Sequence, residues 1–354
     1  MVGKMKVNQV KLGNSDLSVS TMTVGCWPFG GGEYWGEQSQ QDVNHVVSDA
    51  LDMGINTFDT AEMYNDGKSE QSLGKALGKR RKEAVVISKI SPSNCCNVRQ
   101  HCIESLQRLG MDYLDVYMLH WPINSLSISH FTSDKQVIES PPTIEEAYLQ
   151  LSELKKEGLI RSIGMSNFGR KQMEEVLATG VQIDVNEMPY NIVSRAIEVE
   201  IAPYCMAHNI SIIGSMGLQQ GLLAGIYRTA GDVPKHQAHS RHFAHFRGGE
   251  TSRHDEEGAE EEIFEVIDRL QKIADYLNIP VAQLSIAWIL KKPFMASTLV
   301  GSRNSEELKM NAEACTFVIP NEIEALIDNI SLPVLKKLGS SPDYYEHRLR
   351  SRIF

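Results

Sequence analysis

Long apolar runs, patterned cysteines and an excess of positive charge are all missing from this 354-residue chain. No stretch approaches 18 uninterrupted apolar residues, and the start MVGKMKVNQVKLG has no apolar segment of signal-peptide type, so neither a membrane partner nor secretion is expected. The six cysteines, Cys26, Cys95, Cys96, Cys102, Cys205 and Cys315, contain no C-x-x-C pair, which excludes a disulfide scaffold and fits a reduced, cytoplasmic compartment. Lys and Arg total 35 against 45 Asp and Glu, a formal charge of −10 that repels a phosphate backbone and argues against nucleic acid as a partner. A G-x-G-x-x-G between a strand and a helix is absent too, which removes the ordinary dinucleotide-binding fold. With 42% hydrophobic and 23% charged residues, an ordinary globular enzyme or binding protein remains.

What the chain does have is alternation. Short β-branched runs at 21–27, 57–60, 84–90, 114–121, 161–166, 183–188, 211–215 and 297–301 are separated by stretches of helical period. Two stripes show that period well, Val98, Cys102, Leu106 and Leu109, then Ala147, Leu151 and Leu154. Strands alternating with helices imply parallel pairing through right-handed crossovers, and eight units without a linker favour a closed α/β fold, a (β/α)8 TIM barrel. Residues 1–354 therefore read as one barrel domain. An N-terminal β-hairpin occupies 1–20, where Val7 to Leu12 and Leu17 to Ser20 flank the turn Gly13-Asn14-Ser15-Asp16. Long connections at 122–142 and 225–262 follow the fourth and seventh strands, and 320–354 holds a C-terminal helix, expected over 321–330, and an irregular tail.

Several apolar runs end in polar or ionisable residues: Asp59, Lys89, His120, Ser166-Asn167 and Glu187. In a barrel the strand C-termini converge on one mouth, so five elements would deliver acid, base and hydrogen-bonding groups to one place. Tyr64, five residues beyond Asp59, can be carried back over the same mouth. A phenol with a pKa of about 10 needs a nearby cation to act near neutrality, and Lys89 is the candidate. Asp59 would neutralise Lys89, and His120 would donate to a substrate oxygen, an arrangement for proton transfer at a carbonyl or alcohol oxygen.

On these residues the chain resembles the aldo-keto reductase family over nearly its whole length. The resemblance rests on GINTFDTAEMYNDGKSEQSLGKAL, VVISKI, DVYMLHWP, IGMSNF, QQGLLAG and GSRNSEELKMNAEA, six motifs in order. It implies hydride transfer from NADP(H), with NAD possible, to a small aldehyde or ketone, or from the matching alcohol, with the family's catalytic tetrad at Asp59, Tyr64, Lys89 and His120. It also implies cofactor contacts at Ser166, Asn167, Glu187, Ser215, Met216, Leu218, Gly301, Ser302, Arg303, Glu307 and Asn311. The first three match the grip on the nicotinamide carboxamide. Glu187 stands where the family usually has Gln, and an ionised Glu can accept from an amide NH2 but cannot donate to its oxygen. The aromatic residue that commonly stacks on the nicotinamide is missing from Gly214-Ser215-Met216-Gly217.

Trp27 and Trp121 are the substrate candidates, each at a strand end. The loop at 225–262 carries His236, His239, His242 and His245 at intervals of three, with Arg241, Arg247 and Arg253. Without a cysteine or carboxylate cluster beside them no metal is expected, and the loop reads as basic cover for an anionic cofactor or a polar, sugar-like substrate. Two other readings remain: an epimerase that oxidises and re-reduces one carbinol, and a non-catalytic cofactor-sensing subunit like the potassium-channel β subunits the family resembles. Oligomeric state is not legible.

Overall fold

A computed structural model describes residues 6–354, so residues 1–5 of the expected hairpin lie outside the described residues. Strands β1 (Gln9–Lys11) and β2 (Ser18–Ser20) pair antiparallel as that hairpin. They are followed by β3 (Met22–Gly25), β4 (Thr57–Asp59), β5 (Val85–Ile90), β6 (Leu114–Leu119), β7 (Ile160–Ser166), β8 (Val185–Pro189), β9 (Ser211–Ser215) and β10 (Met295–Gly301). These eight form a closed parallel barrel in chain order, with β10 returning to pair with β3. Each corresponds to one of the eight runs seen in the sequence.

Alternation along each strand separates two interiors. Odd positions on β5 (Val85, Ile87) meet Val116 and Met118 of β6, Val185 of β8 and Ile213 of β9 inside the barrel. The residues alternating with them, such as Val86, Ile90 and Tyr117, face the surrounding helices. The helix Val98–Leu109 buries Val98, Cys102, Leu106 and Leu109 in that outer layer, and Ile144–Lys156 buries Ala147, Leu151 and Leu154. The second helix starts at a capping box, with Thr143 accepting from the Glu146 N–H and the Glu146 carboxylate accepting from the Thr143 N–H.

The hairpin closes the bottom of the barrel. Leu12, Leu17 and Val19 belong to the same buried cluster as the inward residues of β5, β6, β8 and β9. Gly13 donates its N–H to Ser211 Oγ at 2.8 Å, at the first residue of β9. Its φ of +53° and the Asp184 carbonyl oxygen, 2.3 Å from where a Cβ would stand, leave room only for glycine.

Three boundaries differ from expectation. The helix Glu260–Leu277 begins inside the stretch read as loop, because Glu260, Glu261 and Glu262 supply the negative first turn a helix N-terminus favours. The connection 122–142 contains two short helices, Ser125–Ile128 and Lys135–Glu139. The C-terminal helix runs Asn321–Leu338, past the expected end at 330 and through Pro333, because burial of Val334 and Leu338 outweighs the lost backbone bond. No single helix among the described residues is long and apolar enough to cross a membrane.

Since Leu12 is fully buried beneath the barrel, Leu12→Ala is expected to lower unfolding stability by about 2–5 kcal/mol in urea titrations. A loss under about 0.5 kcal/mol, the range of ordinary surface substitutions, would show that the hairpin does not seal the core.

Candidate active site

The same alternation that stacks Val85 and Ile87 inside the barrel continues upward to Lys89, whose ammonium ends in a fully buried position. A cation there requires counter-charge, and Asp59 at the end of β4 provides it, both carboxylate oxygens accepting from Lys89 Nζ at 2.5 and 2.7 Å. The Thr60 carbonyl accepts a third bond at 3.1 Å. Glu187 on β8 brings a second carboxyl, with Oε2 3.5 Å from Lys89 Nζ. Tyr64 lies over this cluster, its ring centroid 5.2 Å from Lys89 Nζ and 5.5 Å edge-on from the His120 ring. The structure thus brings Asp59, Tyr64, Lys89 and His120 together at the C-terminal mouth.

The electrostatics assign protons. Burial alone would drive Lys89 toward neutrality, but Asp59 and Glu187 outweigh it and hold the ammonium protonated far above its usual range. Burial and the Asp59 charge push Glu187 up to about 8, and Lys89 opposes this only partly. Because Lys89 bonds both oxygens of Asp59, Asp59 holds the negative charge and Glu187 the proton. His120 is pushed well below its ordinary value by burial and then by Lys89, so the imidazole is neutral, with Nδ1 buried and without a partner among the described residues. Lys89 pulls the Tyr64 phenol down, as expected, but burial first and the Asp59 charge with it outweigh that attraction, and the net shift is upward. Tyr64 rests as a protonated phenol, with Lys89 limiting how far it rises.

At the ends of β7 and β8 three polar groups are left free. Asn167, at φ +64°, donates its amide NH2 to the His120 carbonyl at 3.1 Å and to Ser166 Oγ at 3.0 Å. That leaves the Ser166 hydroxyl proton, Asn167 Oδ1 and Glu187 Oε2 without hydrogen-bond partners among the described residues. One donor and two acceptors complement a primary carboxamide, which has one acceptor oxygen and an NH2. The residues present therefore fit the nicotinamide group.

Beyond β9 the chain turns tightly through Ser215, Met216 and Leu218, with Met216, Gln219 and Gln220 all at positive φ. Asn191 holds this turn, donating to the Met216 carbonyl and Gln219 Oε1 at 2.9 Å each. At the end of β10 Gly301 is exposed, Ser302 after it is buried and accepts from Asn311 at 3.3 Å, and Asn304 caps the helix Ser305–Glu313. Arg303 donates to the Glu37 carbonyl and Gln38 Oε1, while its backbone N–H donates to Glu307 at 2.8 Å. The loop 30–39 thus reaches across to the cofactor-side helix, a contact sequence spacing could not reveal.

Of the substrate candidates, Trp27 stacks on Tyr64 at 5.7 Å and on Tyr34 at 4.9 Å, forming one wall of the mouth. Tyr34, missed in the sequence, donates to Gln220 at 2.7 Å and so ties two mouth loops together. Trp121 is half-buried, with the Arg352 guanidinium 3.7 Å over its ring. Arg352, also missed, pairs with Asp343 at 2.8 Å inside the C-terminal tail. The reading of the 225–262 loop as basic cover for an anion is corrected. Arg241 is fully buried on the Leu338, Ser341 and Asp343 carbonyls, Arg247 pairs with Glu260, and Arg253 with Glu346. His242 is buried on Ser194 and Ser240. These groups bind the tail and the loop itself.

A protein of Escherichia coli (strain K12) named NADH-specific methylglyoxal reductase is 31% identical over 336 residues, covering 87% of this chain and 93% of its own. An Arabidopsis thaliana protein named "Probable voltage-gated potassium channel subunit beta" is 27% identical over 352 residues, covering 94% and 98%. The crystal structure of an aldo-keto reductase from Klebsiella pneumoniae in complex with NADPH superposes with a TM-score of 0.70 at 25% identity, covering 92% of this chain and 96% of that one. The pattern described as the Aldo/keto reductase family matches residues 21–331, and on that match the chain belongs to the aldo/keto reductase family.

Proposed function

We propose that the chain is an NAD(P)H-dependent oxidoreductase that reduces a small aldehyde or ketone, or oxidises the matching alcohol, at the C-terminal mouth of the barrel. The observation that carries this reading is a protonated phenol, Tyr64, set beside a neutral imidazole and a buried ammonium–carboxylate pair. Hydride is supplied by the reduced nicotinamide, NADPH with NADH possible, as the NADPH-bound Klebsiella structure and the NADH-specific Escherichia coli relative both support. The chain's own residues do the rest. His120 donates an N–H to the substrate carbonyl and orients it. Tyr64 gives its proton to the developing alkoxide, and Lys89, held by Asp59, stabilises the phenolate left behind.

Ser166, Asn167 and Glu187 would hold the carboxamide, with Ser215, Met216 and Leu218 along the turn beside it. Gly301, Ser302, Arg303, Glu307 and Asn311 would take the adenosine end, where the helix beginning at Ser305 offers free backbone N–H groups to an anion. Small polar carbonyls are the substrate class, supported by the relative named for methylglyoxal and by the Trp27 wall beside Tyr64. Six free cysteines fit a cytoplasmic setting. The potassium-channel name of one relative favours a non-catalytic reading, against which stands an intact proton donor with all its supporting charges.

Tyr64→Phe removes the proton donor and keeps the ring, so turnover is expected to fall about 100-fold or more while cofactor affinity, followed by fluorescence titration, barely moves. Near-normal turnover would remove Tyr64 from the acid role. Arg303→Ala removes a charge-assisted contact worth about 1.5–3 kcal/mol, so NADPH should bind roughly 10- to 150-fold more weakly and NADH nearly as before. Equal losses for both cofactors would show that Arg303 only holds the loop 30–39 and does not read a 2′-phosphate.

A further inference from the structure

Lys89 carries one positive charge, and both oxygens of Asp59 already engage it. A second carboxyl in the same buried space is therefore in excess. Glu187 is 4% exposed, stands 3.5 Å from the ammonium, lies within hydrogen-bond reach of Asp59, and has an Oε2 with no bond of hydrogen-bond geometry among the described residues. The groups facing it are Asp59 from β4, Tyr64 from the following loop, Lys89 from β5 and His120 from the end of β6, with the neutral Ser166 and Asn167 from β7. Among these the only cation is Lys89, and it cannot balance two carboxylates.

We propose that Glu187 is a proton-holding, positioning residue of this site: as a neutral acid it donates to Asp59 and leaves Lys89 free to favour the Tyr64 phenolate, and on losing its proton it adds a second negative charge that opposes that phenolate. Only the O–H bond of Glu187 breaks in this step, and the proton leaves to solvent. The proposal rests on Tyr64 as the acid of the proposed reaction and adds a control on its strength. Burial and Asp59 raise the Glu187 carboxyl to about 8, so the switch falls in a range where an enzyme operates. Reduction should weaken as Glu187 ionises, because a phenol beside a more negative cluster is a poorer acid.

The same charge change acts on folding. An unfolded glutamate loses its proton near pH 4.3, whereas folded Glu187 keeps it to about 8. The stability contributed by the neutral form is complete below about 4.3 and is lost as the pH rises through about 8. Glu187→Gln keeps the shape and removes the titration. Its melting temperature should therefore gain on that of the wild type between pH 5 and about pH 8, then hold a constant lead above that. In the pH profile of carbonyl reduction, the wild type should decline through about 8 and the Gln variant should stay level until roughly one unit or more higher. A melting-temperature difference that is the same at both ends of the range, with one shared pH profile, would overturn the proposal. Should the Gln variant fail to fold, infrared spectra of wild type with isotope-labelled glutamate serve instead. A protonated-carboxyl band should be present near neutral pH and vanish on crossing about 8, and its absence near neutrality would overturn the proposal. The melting and infrared readouts involve neither substrate nor Tyr64, so an active Tyr64→Phe enzyme would defeat the proposed reaction without touching them.

Discussion

A lysine ammonium fixed inside a barrel is the constraint from which the site follows. Taking the Lys89 charge out of water costs on the order of several kcal/mol, and only an ideally placed partner offsets it. Asp59 meets that need because β4 and β5 are neighbouring parallel strands whose inward positions open on the same space. Once the pair is formed, its surroundings are set. His120 is kept neutral by burial and then by the cation, and Tyr64 is kept protonated by burial and by the Asp59 charge. Apolar side chains from β5, β6, β8, β9 and the hairpin fill the space beneath and hold the strand ends rigid.

Above that floor the mouth is built from segments far apart in the chain and joined by polar contacts. Tyr34 reaches Gln220, Arg303 reaches Gln38, and Arg241 reaches the carbonyls of the C-terminal tail. The tail then returns over the mouth: the Arg352 carbonyl accepts from Gln172, and its guanidinium covers Trp121. Arg241 and Arg352 are buried with their hydrogen-bond partners, so these contacts order the loops and the tail around the mouth.

How much of this was legible in the sequence depended on the range of the interaction. The eight strands were visible because each is a short β-branched run, and Asp59, Lys89, His120 and Glu187 were visible because each interrupts or ends such a run with a charge or ring. The helix Val98–Leu109 showed its stripe for the same local reason. The start of the helix at Glu260 was missed because three glutamates look like a solvated loop until a helix end is there to favour them. The basic loop was misjudged because Arg241 and Arg253 find their partners far along the chain, at Leu338, Asp343 and Glu346, and no local pattern announces such a pairing. The upward shift of Tyr64 was hidden for a related reason: it depends on burial first and then on the balance of the Asp59 and Lys89 charges, which exists only once the barrel has closed around them.

The Lys89–Asp59 pair serves the chemistry of the mouth, and the fold does not need it. A double-mutant cycle with Asp59→Asn and Lys89→Met, read by urea denaturation and by hydride-transfer rate, tests this directly. Lys89→Met leaves the Asp59 charge buried and unpaired and should cost about 3–5 kcal/mol, Asp59→Asn should cost less because Glu187 stands 3.5 Å from the ammonium, and the double variant should recover most of the Lys89→Met loss and remain inactive. A double variant as unstable as Lys89→Met, or one that still transfers hydride at near-normal rate, would contradict this.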